Sequence, residues 1–173
     1  LGLKKAIMEV STLERQKVVI GGVKRSPLLI HYGSDKFIPK KVLPVKNTDW
    51  VKPKKEGGLW TSPIDSKWGW KDWNDCEQFR DCDEQNSFTV CLNPDAKVFV
   101  IDSLEDLKNA PLIDGYIKRV LDFELIAQNY DAIWLTEKGQ NETHSSYPID
   151  LCGWDCETVL ILNPDCCNEV YQR

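Results

Sequence analysis

Two polar residues stand at the ends of apolar runs far apart in the chain. Leu28-Leu29-Ile30-His31-Tyr32-Gly33-Ser34 delivers a histidine into a turn, and Trp154-Asp155-Cys156-Glu157-Thr158-Val159-Leu160-Ile161-Leu162 sets a glutamate at the mouth of another run. A polar side chain at the end of a buried strand faces a cleft, because burying it without a partner is costly. Histidine offers a hydrogen-bonding ring that changes charge near neutrality, and an aimed carboxylate stabilises positive charge developing on a substrate. Gly57-Gly58-Leu59-Trp60-Thr61-Ser62-Pro63 lies between them and supplies a third element. Taken singly, His31 also reads as a structural histidine and Glu157 as a solvated strand-end residue.

Other chemistries find less support. Among the seven cysteines, Cys76 and Cys82, Cys152 and Cys156, and the adjacent Cys166 and Cys167 never form Cys-x-x-Cys, and only His31 and His144 are available to complete a zinc site. The expectation is no metal. No cysteine–histidine pairing points to a thiol nucleophile. There is no Walker A loop and no Gly-x-Gly-x-x-Gly. Asp72, Asp75, Asp81 and Asp83 are too irregular for a calcium loop. Seven tryptophans are many for this length, and Trp60, Trp68, Trp70 and Trp73 read either as core or as flat stacking surfaces.

The 173 residues suit one domain that buries roughly 70% of its unfolded surface. With 22 basic and 27 acidic residues the net charge is −5, which opposes nonspecific nucleic-acid binding through a basic surface. A local exception is the loop with Lys36, Lys40, Lys41, Lys46, Lys52, Lys54 and Lys55, with Lys67 and Lys71 just beyond, against Asp35 and Asp49. It reads as a solvated basic loop or as a polyanion contact. No apolar stretch approaches the ~18 residues of a membrane span. The start, Leu1 to Met8, lacks the apolar core of a signal peptide, and the odd cysteine count favours a reduced, cytoplasmic setting. Asn141-Glu142-Thr143 matches a glycosylation acceptor only by chance in that setting.

The elements that must position these residues are short. Lys17 to Val23 reads as a strand or hairpin arm, Leu28 to Tyr32 as a buried strand, and Asp35 to Glu56 as a long loop with one turn of helix. Leu59 to Ser62 is a strand closed by Pro63, and Ser66 to Phe79 a helix with an aromatic face, capped near Asp65 or Ser66. Ser87 to Leu92 and Lys97 to Ile101 read as a hairpin around Asn93-Pro94-Asp95. A helix starts at Asp102 or Ser103, and Tyr116, Val120, Phe123 and Ile126 predict another from Asp114 to Gln128. Tyr130 to Leu135 is a strand, Thr136 to Gly153 a polar loop, and Glu157 to Leu162 the last clear strand. Residues 1–24 form an N-terminal extension and 25–173 a single α+β domain.

Taken together and in order, Ile30-His31-Tyr32-Gly33-Ser34, then Gly58-Leu59-Trp60-Thr61-Ser62 before a Trp-rich helix, then Glu157 opening an apolar strand, resemble the ADP-ribosyltransferase superfamily. The likeness is to its diphtheria-toxin/PARP-like branch with a His-Tyr-Glu set, and spans about residues 28 to 165. It implies a split β-sandwich of two small sheets with flanking helices that grip NAD. His31 would bond a ribose hydroxyl, and the backbone of Tyr32 and Gly33 would hold the nicotinamide amide. Ser34, Trp60 and Thr61 would complete the NAD site, with Trp60 at or beside the stacking tyrosine. Glu157 would stabilise the sugar cation formed as nicotinamide leaves, and the loop from Glu137 to Asp155 would select the acceptor, with Asn141, His144, Ser145, Ser146 and Tyr147 as contacts. Three departures stand out: Tyr32 between His31 and Gly33, Trp at position 60, and Asp155 where arginine-directed relatives carry Glu or Gln. The expected activity is transfer of ADP-ribose from NAD to a protein or nucleic-acid acceptor. The alternatives are a toxin-like NAD consumer, an RNA 2′-phosphotransferase, and a Trp-rich binding module without catalysis.

Overall fold

A computed structural model describes residues 18–20, 23–47, 57–115, 118–149 and 151–171. The chain is mixed α+β. A short ladder pairs β1 (Val18–Ile20) with β2 (Val23–Arg25). The main sheet contains β3 (Leu28–Tyr32), β4 (Leu59–Pro63), β5 (Ser87–Leu92), β6 (Val98–Ile101), β9 (Ala132–Leu135), β10 (Thr158–Ile161) and β11 (Cys167–Glu169). Their order is β11-β5-β3-β4-β10-β9-β6, antiparallel except for the parallel pair β6–β9. A separate hairpin joins β7 (Leu112–Asp114) to β8 (Arg119–Leu121). The helices are short: α1 (Trp70–Glu77), α2 (Leu104–Lys108), α3 (Phe123–Ala127) and α4 (Glu137–Thr143).

Where the resemblance implies two small sheets, the seven strands form one continuous ladder, because β4 is hydrogen-bonded to β3 on one edge and β10 on the other. The sheet is curled. In a flat sheet β5 and β6 would lie five spacings apart, roughly 24 Å. Instead Leu92 of β5, Val98 of β6 and Trp134 of β9 line one small cavity. The inside of the curl is a core of Leu29, Leu59, Phe88, Val90, Leu92, Val98, Ala132, Val159 and Ile161. The outer face carries Ile101, Ile133, Leu135 and Leu160, covered by Leu107, Leu121, Phe123, Ile126 and Trp154. Period-two alternation assigns each strand residue to one face or the other.

Several expectations change. The strands 87–92 and 98–101 do not form a hairpin: β5 lies between β11 and β3, whereas β6 pairs with β9 across the curl. The Asn93-Pro94-Asp95 turn thus carries the chain from one half of the sheet to the other. The helix expected over 114–128 is a hairpin followed by one short helix, α3, capped by the Asp122 side chain on Leu125 N. Gly115 forms the hairpin turn, with its N–H on the Lys118 carbonyl. Ser66 is not the cap of α1, which starts behind Gly69. The polar stretch after β9 contains α4, capped by Thr136 on Gly139 N, and β11 was not expected. Ser103 caps α2 as expected.

Gly139 is fixed by close approach. A Cβ there would stand 2.1 Å from the Ile101 carbonyl oxygen, so α4 can lie on the end of β6 only with glycine at this position. Because the clash is with backbone, Gly139→Ala is expected to lower stability by about 2 kcal/mol or more, a loss of roughly 4–8 °C in melting temperature for a chain of this size. Thermal unfolding followed by circular dichroism checks this, and an unchanged melting temperature would mean that α4 is not seated as described.

Candidate active site

The three segments singled out in the sequence lie on adjacent strands, β3, β4 and β10. Pairing of Leu29 with Pro63 and Ile30 with Ser62 sets β3 on β4, and pairing of Val159 with Thr61 sets β4 on β10. Leu29, Val159 and Ile161 face the inside of the curl. By alternation His31, Thr61 and Glu157 belong to the same inner face. Counted along the register, His31 is level with Val159, two residues beyond Glu157 and two strands away. In a flat sheet that is roughly 12 Å between backbones. The pair therefore suits two parts of an extended ligand rather than one atom of a small one.

His31 is held on both sides. Its Nδ1 lies 2.8 Å from the Trp60 carbonyl oxygen, and its ring centroid 5.0 Å from that of Phe88. A carbonyl only accepts, so Nδ1 carries the proton and the neutral ring presents Nε2 as an acceptor. Burial pushes the imidazole pKa down, and the bond to Trp60 opposes this only in part. Gly33 follows with φ +117°, and a Cβ on it would come within 3.8 Å of His31 Nε2. Glycine at this point keeps the Nε2 edge open. Tyr32 takes the opposite face, where burial raises its phenol pKa, Cys82 adds to the effect and Lys71 opposes it. The Ser34 hydroxyl donates to the Lys36 carbonyl at 3.1 Å.

Glu157 is positioned by its backbone and by one indole. Its N–H donates to the Trp68 carbonyl (2.9 Å), its carbonyl accepts from the Ser62 hydroxyl (2.9 Å), and its Oε1 accepts from Trp134 Nε1 (3.0 Å). Ser62 also accepts the N–H of Trp70 at 2.9 Å, which ties the start of α1 to the same point. Thr61 is buried, and its hydroxyl donates to the Val159 carbonyl at 2.7 Å. Trp68 Nε1 donates to the Asp155 carbonyl at 2.9 Å. Leu59 to Trp68 thus acts as a clamp on residues 155–159.

Trp60 departs from the others. Its ring packs on the outer face against Trp154, centroids 4.9 Å apart, and its Nε1 is buried without a partner among the described residues. Only its carbonyl reaches the inner side, at His31. An open cavity of about 570 Å³ lies beside Glu157, lined also by Asp102, Thr136, Glu137, Lys138, Asn141 and Glu142. His31 does not line it. Of the expected acceptor-loop contacts, Asn141 does, while His144, Ser145 and Tyr147 are exposed and Ser146 is half-buried. No cluster fit for a metal ion occurs among the described residues, and no helix there is long and apolar enough to cross a membrane.

The sequence reading missed Trp134, Asp102 and Thr136. The available signal was positional: each stands at or just past the end of an apolar strand, as His31 and Glu157 do. The chain matches no family model, and no curated protein or solved structure matches it.

Two outcomes follow from this geometry. Trp134→Phe keeps the ring and removes the donor to the carboxylate, which is expected to cost about 1–3 kcal/mol in denaturant unfolding; no loss would mean the indole bond is not made. The His31 pKa is lower folded than unfolded, so the unfolded chain binds the extra proton more readily. Stability is then full above the ordinary histidine range, near 6.5, and declines as pH falls through it toward the folded value. His31→Gln is expected to flatten that decline between about pH 7 and 5; an unaltered slope would place the effect elsewhere.

Proposed function

We propose that this chain cleaves the bond between nicotinamide and ribose in NAD and transfers ADP-ribose to a macromolecular acceptor. The observation that carries the reading is the adjacency of β3, β4 and β10, with His31 against Phe88 and Glu157 bonded to Trp134, two rings that pack on the inner core. On this reading the two halves of the curled sheet are the leaves of a split β-sandwich, and the dinucleotide lies along the inner face. His31 accepts a ribose hydroxyl at Nε2. The backbone at Tyr32 and Gly33 holds the nicotinamide amide, with Ser34 next to it. Trp60 contributes through its carbonyl, which orients His31, and Thr61 through its grip on β10. The flat wall for nicotinamide falls to Trp134, whose indole is bonded to Glu157. Glu157 faces the sugar carbon as the glycosidic bond breaks, and its charge lowers the energy of the cationic transition state more than that of bound NAD.

A second reading, an aromatic binding module without catalysis, is favoured by one surface. The rings of Trp70 and Trp73 stack with centroids 5.0 Å apart, and Phe79 beside them is 54% exposed. Incubation with NAD and cell lysate, with nicotinamide release measured, separates the two. The enzyme reading expects release by the wild type and a loss of about 100-fold or more in Glu157→Gln. Equal turnover by Glu157→Gln, or no release with any acceptor, sinks it. The module reading expects Trp70→Ala to lose a retained ligand while Glu157→Gln keeps it.

A further inference from the structure

The segment between β3 and β4 carries charge of one sign. Residues 36–47 hold Lys36, Lys40, Lys41 and Lys46 and no acid. The chain as a whole carries −5 and this segment +4, so the remainder carries −9. All four lysines are exposed, and none of their ammonium groups makes an ion pair or hydrogen bond among the described residues. Asp165 stands on a 3-10 turn (Pro164–Cys166) beside the turn Pro39–Lys41, yet it pairs with neither Lys40 nor Lys41. Two aliphatic side chains stand among the lysines, Ile38 at 37% exposed and Leu43 at 66%.

The backbone here is pinned along its length. Phe37 is buried against Phe88, ring centroids 5.6 Å apart. The Lys41 N–H donates to the Ile38 carbonyl (2.9 Å) and the Val42 N–H to the Pro39 carbonyl (3.1 Å), which closes the 3-10 turn. The Leu43 carbonyl accepts the Gly58 N–H at 2.8 Å. Val45 is buried in the outer core, and Asn47 Oδ1 accepts the Phe123 N–H at 2.9 Å, at the start of α3. Phe37, Val42 and Val45 take the inward positions. Lys36, Ile38, Lys40, Lys41, Leu43 and Lys46 are left on the outside. Leu43 is held out of both cores by a fixed backbone, so its apolar surface is available to a second body.

The mixture of side chains selects that body. A nucleic acid would use the ammonium groups but not the aliphatic ones, since bases stack on aromatic rings. The one ring within 36–47, Phe37, is buried. An anionic bilayer uses both: headgroup phosphates attract lysines, and the interfacial layer takes apolar side chains. The negative charge on the remainder acts in the same sense. It is repelled by such a surface, so this face is the one turned toward it within a Debye length of ~10 Å. We propose that the face formed by residues 36–46 docks on an anionic phospholipid bilayer, with the four lysines among the headgroups and Ile38 and Leu43 in the interface. The docking makes no covalent bond and does not depend on the NAD reading.

Binding of the full chain to vesicles tests this. Co-sedimentation is measured with phosphatidylcholine vesicles holding about 30% phosphatidylserine and with pure phosphatidylcholine vesicles. Binding to a single-stranded oligonucleotide at the same salt is read by fluorescence anisotropy. The expected result is binding to the anionic vesicles alone. It falls about tenfold or more when Lys40→Gln and Lys41→Gln are combined, and about threefold or more in Leu43→Ser. The replaced side chains are exposed, and matching melting temperatures exclude misfolding as the cause. No binding to the anionic vesicles, equal binding to the neutral ones, or unchanged binding in either variant overturns the docking. Tighter binding to the oligonucleotide than to the vesicles also overturns it and assigns the lysines to nucleic acid.

Discussion

The candidate site depends on β4 being hydrogen-bonded along both edges. This one short strand, Leu59–Pro63, joins the β3 half of the sheet to the β10 half. Two of its buried hydroxyls strengthen the join. Thr61 donates to the Val159 carbonyl, and Ser62 donates to the Glu157 carbonyl while accepting the Trp70 N–H. Each such bond is worth about 1 kcal/mol net, but leaving its buried partner unsatisfied costs about 1–3 kcal/mol. The position of Glu157 is therefore set by β4 and by the turn that follows it, more than by its own strand. The entry to β4 is equally constrained. A Cβ on Gly57 would stand 2.0 Å from the Pro44 carbonyl oxygen, so only glycine lets the loop before the strand cross here.

Curling separates what a sequence pattern groups together. Trp60, Thr61 and Ser62 are consecutive, yet alternation sends the Trp60 ring to the outer core with Trp154 and the Thr61 side chain to the inner face with His31 and Glu157. The aromatic ring beside the glutamate comes instead from another strand: β9 pairs with β10 and sets Trp134 opposite Val159, on the face that Glu157 shares. Its polar edge is satisfied by the carboxylate, which is how a large indole is accommodated at the border of a core and a cleft.

What could be read from the residues divides along a physical line. Leu28–Tyr32, Ala132–Leu135 and Thr158–Ile161 were visible because dense β-branched and aliphatic runs have few alternatives to a buried strand. The caps at Ser103 and Thr136 follow from local chemistry, and Ser103 was anticipated. Long-range pairing was not visible. Nothing local distinguishes a hairpin at Asn93-Pro94 from a crossing between sheet halves, since that choice is made by which core each strand fills. Tyr116, Val120, Phe123 and Ile126 satisfy helical spacing, but a turn at Gly115 and the cap at Asp122 divide the segment into a hairpin and α3. Of the site, His31 and Glu157 were readable as strand-end polar residues. The cavity was not, because it is assembled from the ends of β6, β9 and β10, which only the fold brings together.

The role of His31 follows from where the β3–β4 ladder stops. Pairing ends at Ile30 with Ser62. The next rung would bring the Tyr32 N–H to the Trp60 carbonyl, but that carbonyl takes the His31 ring N–H instead. The strands part at this rung, and the imidazole fills the gap with its proton committed to the backbone. For this half-buried ring, burial opposes the second proton and favours the neutral form. In that form it can accept a hydroxyl at Nε2 and has no proton to deliver there. The two residues are thus held differently: the His31 ring by a backbone carbonyl, and the Glu157 carboxylate by the indole N–H of Trp134.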